Sequence, residues 1–102
     1  MTDSELTTAI AIARADSGMS QEWRESVAKA ILETAQAHFD FIVDQLIDHA
    51  GYLFVSAKEK NALGAAMRRA RKGKVIFHTG EYRPSKISGK HSVMRPVWRL
   101  VA

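Results

Sequence analysis

"SAKEKNALGAAMRRARKGK", residues 56–74, opens with a helix start signal and closes with a run of basic residues. Ser56 and Glu59 have the S-x-x-E spacing of a capping box, in which each side chain bonds the backbone N–H of the other residue at a helix N-terminus. Gly73 is typical of the residue that follows the last turn of a helix. The stretch therefore predicts a helix that begins after Ser56 and ends near Gly73.

The two sides of this predicted helix differ in chemistry. The buried side is predicted to be a narrow apolar stripe at helical spacing, made of Leu63, Ala66, Met67 and Ala70. The opposite side is predicted to hold Lys58, Asn61, Gly64, Ala65, Arg68 and Lys72, with Arg69 and Arg71 flanking it. A solvated face is the ordinary explanation of such a side. Four basic residues within 68–72, with no acid among them, favour a face that binds an anion.

Upstream of this stretch the sequence predicts further helices. One covers residues 3–16 and is followed by Gly18, so that residues 1–18 form an extra N-terminal element. Ser20 is the predicted N-cap of the next helix, which runs to about Ala37. A short helix over residues 43–50 follows, with apolar side chains at helical spacing.

A very short strand is compatible with the alternation of Phe39 and Phe41 just before that short helix. Downstream, alternation in residues 75–78 and again in residues 97–101 predicts two strands joined by a long basic loop. Each proline ring fixes φ, so Pro84 and Pro96 are predicted to restrain that loop. Trp98, on the last predicted strand, is more typical of a core residue than of a platform for stacking bases.

Whole-chain composition is ordinary for one folded domain: 102 residues, 46 % apolar and 25 % charged. We therefore expect a single domain over residues 1–102. The absence of cysteine excludes disulfides, thiolate metal sites and a thiol nucleophile. No stretch approaches the roughly 18–20 apolar residues of a membrane span, and the N-terminus lacks a signal-peptide pattern. We expect a cytoplasmic protein with no membrane partner.

Charge is divided unevenly along the chain. Residues 1–50 hold nine acidic and three basic side chains, a net charge of −6, whereas residues 51–102 hold twelve basic and two acidic ones, a net charge of +10. One explanation is that the two halves neutralise each other across the fold. The excess of cations in the second half instead favours a face built for an anionic partner.

A basic helix that precedes a hairpin resembles the end of a winged helix-turn-helix domain. The segments that carry the resemblance are "ALGAAMRRARKGKV" (residues 62–75), "YRPS" (residues 82–85) and "RPVWRL" (residues 95–100). They look like the endings of small winged-helix proteins of phages and actinobacteria, in which YRPS forms a turn. The resemblance covers roughly residues 21–102. It implies an α+β fold with a helical bundle, a C-terminal β-hairpin wing and, in this chain, an extra N-terminal helix.

Double-stranded DNA is the partner that these features predict. Arg reads guanine and Asn reads adenine in the major groove, so Arg68 and Asn61 are predicted to contact bases. The other basic residues of the helix are predicted to contact phosphates, and the basic loop is predicted either to follow the adjacent DNA backbone or to enter the minor groove. The full set of predicted DNA contacts is Lys58, Lys60, Asn61, Arg68, Arg69, Lys72, Lys74, Arg83, Lys86, Lys90, His91 and Arg95. We expect a transcriptional regulator or a replication or recombination accessory factor of phage or mobile-element type.

The competing hypothesis is an interaction module whose basic face binds an acidic partner protein. An acidic surface on the other side of the molecule would serve a partner in the same way, and its candidates are Asp3, Glu5, Asp40, Asp44 and Asp48. The N-terminal helix is a candidate homodimerisation element, because Leu6, Ile10 and Ile12 form an apolar stripe.

An enzyme is not expected, since no catalytic constellation is present. His38, His49, His78 and His91 lack metal-ligand spacing, and Glu81 is the only carboxylate in the basic hairpin. We therefore expect no cofactor, no metal and no small-molecule substrate.

Overall fold

Three α-helices and one β-hairpin make up the part of the protein that the computed structural model describes, residues 18–86 and 93–101. The elements are α1 (Gln21–Ala37), α2 (Val43–Ala50), a 3-10 turn (Gly51–Leu53), α3 (Ala57–Lys72), β1 (Ile76–Ser85) and β2 (Val93–Leu100). The α+β prediction is confirmed, and the layout is compatible with a winged-helix-like arrangement. The predicted N-terminal helix and its dimerisation stripe lie outside the described residues.

Local hydrogen bonds set the starts of the two long helices where the sequence predicts them. The Ser20 hydroxyl accepts from the Trp23 N–H at 3.0 Å and caps α1. At α3 the full capping box forms: the Ser56 N–H donates to Glu59 Oε1 at 2.9 Å, and the Glu59 N–H donates to Ser56 Oγ at 3.1 Å. Both predicted helix starts are therefore confirmed.

The core lies between the three helices and the base of the hairpin. Its fully buried side chains include Val27 and Ile31 of α1, Leu46 of α2 and Ile76 of β1. The Trp23 indole N–H donates to the Leu53 carbonyl at 2.8 Å, so the buried ring has its polar atom paired. None of the helices in the described ranges has both the length and the apolar character needed to cross a bilayer.

Helix α3 buries a wider sector than the narrow stripe predicted for it. Ala65, which was expected on the open side, is only 2 % exposed and joins Ala62, Leu63, Ala66 and Met67 in the interior. The reason is that α3 packs against two neighbours, α1 and β1, so apolar residues are needed over more of its circumference. The exposed side of α3 is correspondingly narrower than predicted.

One residue joins the hairpin to the connection between α1 and α2. The Phe41 N–H donates to the Trp98 carbonyl at 2.9 Å, and the Trp98 N–H donates to the Phe41 carbonyl at 2.7 Å. The predicted short strand is thus a single bridging residue. Phe41 is fully buried whereas Phe39 is 79 % exposed, and Trp98 belongs to the core as expected.

The hairpin strands are longer than the alternating patterns predicted, and the YRPS segment is not a turn. Residues 82–85 lie within β1 and pair with β2, with Pro84 opposite Met94 and Pro96 opposite Tyr82. Both prolines therefore stand inside strands instead of restraining a loop. Such placements are possible because each strand of a two-stranded ladder has an unpaired edge, where a missing N–H removes no ladder bond.

A bulge divides the hairpin into an inner and an outer half. Between the pairs His78–Trp98 and Tyr82–Pro96, three residues of β1 (79–81) stand opposite Val97 alone. Gly80, within the bulge, has φ of +90°, a conformation that favours glycine. The Thr79 hydroxyl donates to the Val97 carbonyl at 3.1 Å and accepts from the Glu81 N–H at 3.2 Å, so the irregular backbone is paired.

The contrast between Phe39 and Phe41 gives a matched test of this packing. Phe41→Ala is expected to lower the free energy of unfolding by about 3–5 kcal/mol, because it leaves a cavity in the core and removes no backbone hydrogen bond. Phe39→Ala is expected to cost less than about 1 kcal/mol, since that ring is exposed and stacks on the half-buried Arg99. Urea denaturation of both variants measures the difference. Equal losses would contradict the assigned packing.

Candidate functional site

The exposed stripe of α3, defined as Lys60, Asn61, Gly64, Arg68, Arg71 and Lys72, contains no acidic side chain. Its members recur at intervals of three and four residues and so share one side of the helix. The carboxylate of α3, Glu59, is drawn into the capping box, where the Ser56 backbone N–H holds the pKa of Glu59 below its ordinary value. The stripe therefore presents four cations and one amide without a competing negative charge.

A groove of about 710 Å³ separates this stripe from the hairpin. One wall is α3, and the other is formed by β1 and β2, while α2 contributes to the floor. Four cationic side chains line the groove: Lys60, Arg68 and Arg71 from α3, and Arg95 from β2. Among its described lining residues none is acidic.

Among the four cations that line the groove, Arg71 is the one that does not belong to the predicted set of DNA contacts. It was expected only to flank the exposed side, yet it is exposed and lines the groove. The signal was present in the spacing, because Arg71 follows Arg68 by three residues and Gly64 by seven, which places all three on one side of a helix. The buried position of Ala65 shifts the centre of the open side toward Arg71.

Three of the predicted contacts from this region lie away from the stripe. The Lys58 side chain lies against Gly18, which precedes α1. Arg69 is half-buried on the flank of α3. Lys74 is exposed beyond the end of the helix, with φ of +62°. The structure does not bring these three side chains into the groove.

Arg83 has a partner inside the protein. Its two terminal nitrogens donate to the two carboxylate oxygens of Asp40 at 2.7 and 2.8 Å, and Arg99 Nη2 lies 3.6 Å from Asp40 Oδ2. The Arg83 hydrogen bonds hold the pKa of Asp40 below its ordinary value, and the same pair raises the pKa of Arg83. The predicted phosphate contact at Arg83 would have to compete with this ion pair.

Asp44 anchors the outer half of the hairpin to α2. Its side chain, in a residue only 7 % exposed, accepts from the Ser85 hydroxyl at 2.6 Å and from the Lys86 backbone N–H at 2.7 Å. Asp40 and Asp44 are candidates for an acidic partner surface, and in the structure both carboxylates bind groups within the fold, so a partner would have to compete with these contacts. The ion pair between Asp40 and Arg83 neutralises a small part of the opposite charges of the two halves of the chain.

The remaining predicted contacts are on the hairpin. Lys86 and Arg95 are exposed, whereas Lys90 and His91 lie outside the described residues.

His78 sits beside Tyr82 and Trp98, with ring centroids 5.2 and 5.5 Å away. Tyr82 is 55 % exposed, unlike the buried Trp98. Within residues 18–86 and 93–101 no group of three or more His, Asp or Glu side chains is placed to hold a metal ion.

Comparisons with known proteins give no match: no family model fits this chain, and neither a curated protein nor a solved structure resembles it significantly. The resemblance to winged-helix proteins therefore stays a prediction drawn from the sequence.

The Asp40–Arg83 pair predicts how stability depends on pH. Because the pKa of Asp40 is lowered in the folded state, its contribution is fully present above the ordinary Asp pKa of about 3.9 and is lost as pH falls through the folded value. We expect Asp40→Asn to be less stable than the wild type at neutral pH and to lose less stability on acidification. Urea denaturation between about pH 2.5 and 7 measures this.

Asp48→Asn is the matched control, because Asp48 is exposed on α2. It is expected to keep the wild-type dependence on pH. An Asp40→Asn curve parallel to that of the wild type throughout the acidic range would contradict the role of the pair.

Proposed function

We propose that the protein is a winged helix-turn-helix domain that binds double-stranded DNA. In this proposal α3 lies in the major groove and the hairpin lies against the neighbouring phosphate backbone of the DNA. The observation that carries the proposal is the stripe of α3 and the groove beside it, which together present five cations without an acid among their described residues. A duplex is a dense polyanion, and neutralising its phosphates releases counterions, which favours binding.

The order of elements supports this assignment. Helices α2 and α3 are joined by six residues (51–56), a longer connection than the turn of about three or four residues in a helix-turn-helix unit, and a hairpin follows α3 after three residues (73–75). The bridge between Phe41 and Trp98 adds one residue to the edge of the hairpin, as expected of a small sheet that packs on a helical bundle. In this arrangement α3 is the helix whose exposed side a major groove about 12 Å wide would accommodate.

Roles within the site follow from side-chain chemistry and position. Arg68 and Asn61 lie on the stripe and are suited to bidentate contacts with guanine and adenine. Lys60, Arg71 and Lys72 are suited to phosphates, as is Arg95 across the groove. One DNA backbone strand would then run through the groove between α3 and the hairpin.

Gly64 supports a close approach of the DNA to α3. It lies in the middle of the helix, where glycine is less favourable than alanine by about 0.5–1 kcal/mol. A Cβ atom at this position would meet nothing within 4 Å, so packing inside the protein does not require glycine. The missing side chain leaves the helix backbone open between Lys60 and Arg68, one turn away on either side.

The process served belongs to the same proposal: transcriptional regulation, or an accessory role in replication or recombination, of phage or mobile-element type. An acidic partner protein would use the same cations, and it is the alternative that the experiments below separate from DNA. The two differ in salt dependence, because counterion release from a duplex gives a linear fall of log affinity with log salt.

Lys60→Ala tests the groove against a matched control elsewhere. Removing one phosphate contact is expected to weaken binding to random duplex DNA and to reduce the slope of log affinity against log salt by about 0.9. Lys29→Ala removes the same charge from an exposed position on α1 and is expected to leave the slope unchanged. Fluorescence anisotropy at several salt concentrations measures both. Equal changes of slope in the two variants would indicate an effect of the total charge and would contradict the assignment of the groove as the DNA-binding site.

Gly64→Ala separates stability from binding. The substitution is expected to raise the free energy of unfolding by about 0.5–1 kcal/mol, because alanine is the better helix former and the new Cβ meets open space. It is expected to weaken DNA binding by about 1 kcal/mol or more, because the methyl group stands where the duplex approaches. Urea denaturation and anisotropy give the two values.

Ala28→Gly is the reverse change at an exposed position of α1. It is expected to lower stability by a similar amount and to leave DNA affinity unchanged. Undiminished DNA binding by Gly64→Ala would show that the duplex does not approach α3 at this point.

A further inference from the structure

The floor of the groove has a property that DNA binding does not use. Apolar side chains from three elements line it: Val43 and Ile47 of α2, Leu63 and Met67 of α3, and Trp98 of β2. Val43 and Ile47 are only half-buried, so part of this floor is accessible to solvent. Phosphate groups gain nothing from apolar surface, and keeping such surface in contact with water is unfavourable. The floor is therefore suited to a ligand with an apolar body.

Cations surround this apolar floor. Lys60, Arg68 and Arg71 lie on the α3 wall, and Arg95 lies on the opposite wall. Guanidinium groups bind carboxylate, sulfonate and phosphate groups through paired hydrogen bonds. With no acid among the described lining residues, the groove selects a ligand that is apolar at one end and anionic at the other.

The groove is large enough for a small molecule. Its volume of about 710 Å³ lies within the range of roughly 300–1,000 Å³ that is usual for small-molecule sites. We propose that the groove between α3 and the hairpin binds a small amphipathic organic anion, with its apolar body on the floor and its anionic group on the arginines.

Such a ligand would regulate DNA binding, because it occupies the cations that the duplex needs. Competition of this kind is reciprocal: the ligand weakens DNA binding by the factor by which DNA weakens ligand binding. This consequence rests on the proposed function. Binding of the anion itself does not, so the two proposals fail separately.

The probe for the test is 8-anilinonaphthalene-1-sulfonate, which has an aromatic body and one anionic group. Titration calorimetry on the folded protein without DNA is expected to show saturable binding with one ligand per chain. N-phenyl-1-naphthylamine, which lacks the sulfonate, is expected to bind at least about tenfold more weakly, because it forms no charge-assisted hydrogen bonds.

Gly64→Leu places the binding in the groove. Its Cβ meets nothing within 4 Å, so the leucine extends into the groove without disturbing the core, and leucine is a good helix former. We expect this variant to keep its cooperative unfolding and to lose affinity for the sulfonate by about tenfold or more. Ala28→Leu makes a comparable change on the exposed side of α1 and is expected to bind as the wild type does.

Arg71→Ala tests the charge separately from the shape. It is expected to lower the affinity for the sulfonate by about tenfold and to leave the affinity for the uncharged amine unchanged. Lys29→Ala, the control for lost charge, is expected to change neither. Unaltered sulfonate binding in both Gly64→Leu and Arg71→Ala, or equal binding of the charged and uncharged probes, would overturn the proposal.

A DNA arm keeps the two proposals apart. We expect the sulfonate to displace a fluorescent duplex from the wild-type protein. We expect no displacement from Gly64→Leu when the two proteins are compared at the same DNA occupancy. Groove binding by the sulfonate with no affinity for any duplex would sink the DNA function and leave the anion site standing. Duplex binding that the sulfonate does not affect would overturn the regulatory consequence. Capture of an acidic amphipathic peptide without any binding of the sulfonate would overturn the small-molecule site.

Discussion

Two backbone hydrogen bonds between Phe41 and Trp98 fix the position of the hairpin relative to the helices. They place Trp98 in the core and leave Phe41 fully buried, so the base of the hairpin and the start of α2 form one packed unit. The hairpin wall of the groove depends on this attachment. The groove exists only because one of its walls, the hairpin, is held at a set distance from the other wall, α3.

Electrostatics completes what the backbone bridge begins. Asp40 and Asp44 come from the acidic half of the chain, and both bind the outer half of the hairpin, through Arg83 and through Ser85 with the Lys86 N–H. The acidic residues thus orient part of the basic half. The cations of the α3 stripe have a different character, since they are exposed and share a surface with no acid among its described members. The acidic side chains of the first half of the chain thus anchor the hairpin, whereas the cations of the α3 stripe stay on the surface.

Features that depend on neighbours in sequence were predictable, and features that depend on distant partners were not. The caps at Ser20 and Ser56 are local hydrogen bonds, so the helix starts follow from a few adjacent residues. The YRPS segment pairs with residues eight to fourteen positions later, and its strand conformation comes from that pairing and not from its own prolines. Likewise Ala65 is buried because α3 has two packing partners, and Arg83 is engaged because Asp40 comes near it in space. Most of the α3 stripe was foreseen, and Arg71 was missed because the width of the buried sector was unknown.

The bulge at residues 79–81 separates the part of the hairpin that packs in the core from the outer part of the hairpin. The inner half, next to the bulge, pairs His78 with Trp98 and belongs to the core, whereas the outer half carries Arg95 and reaches Asp44 through Ser85. A bulge bends a strand and increases its twist. The bulge therefore sets the angle between the two halves of the hairpin, and with it the position of Arg95 relative to α3. A change in the bulge would alter the width of the groove at a point outside the regular pairing of the two strands.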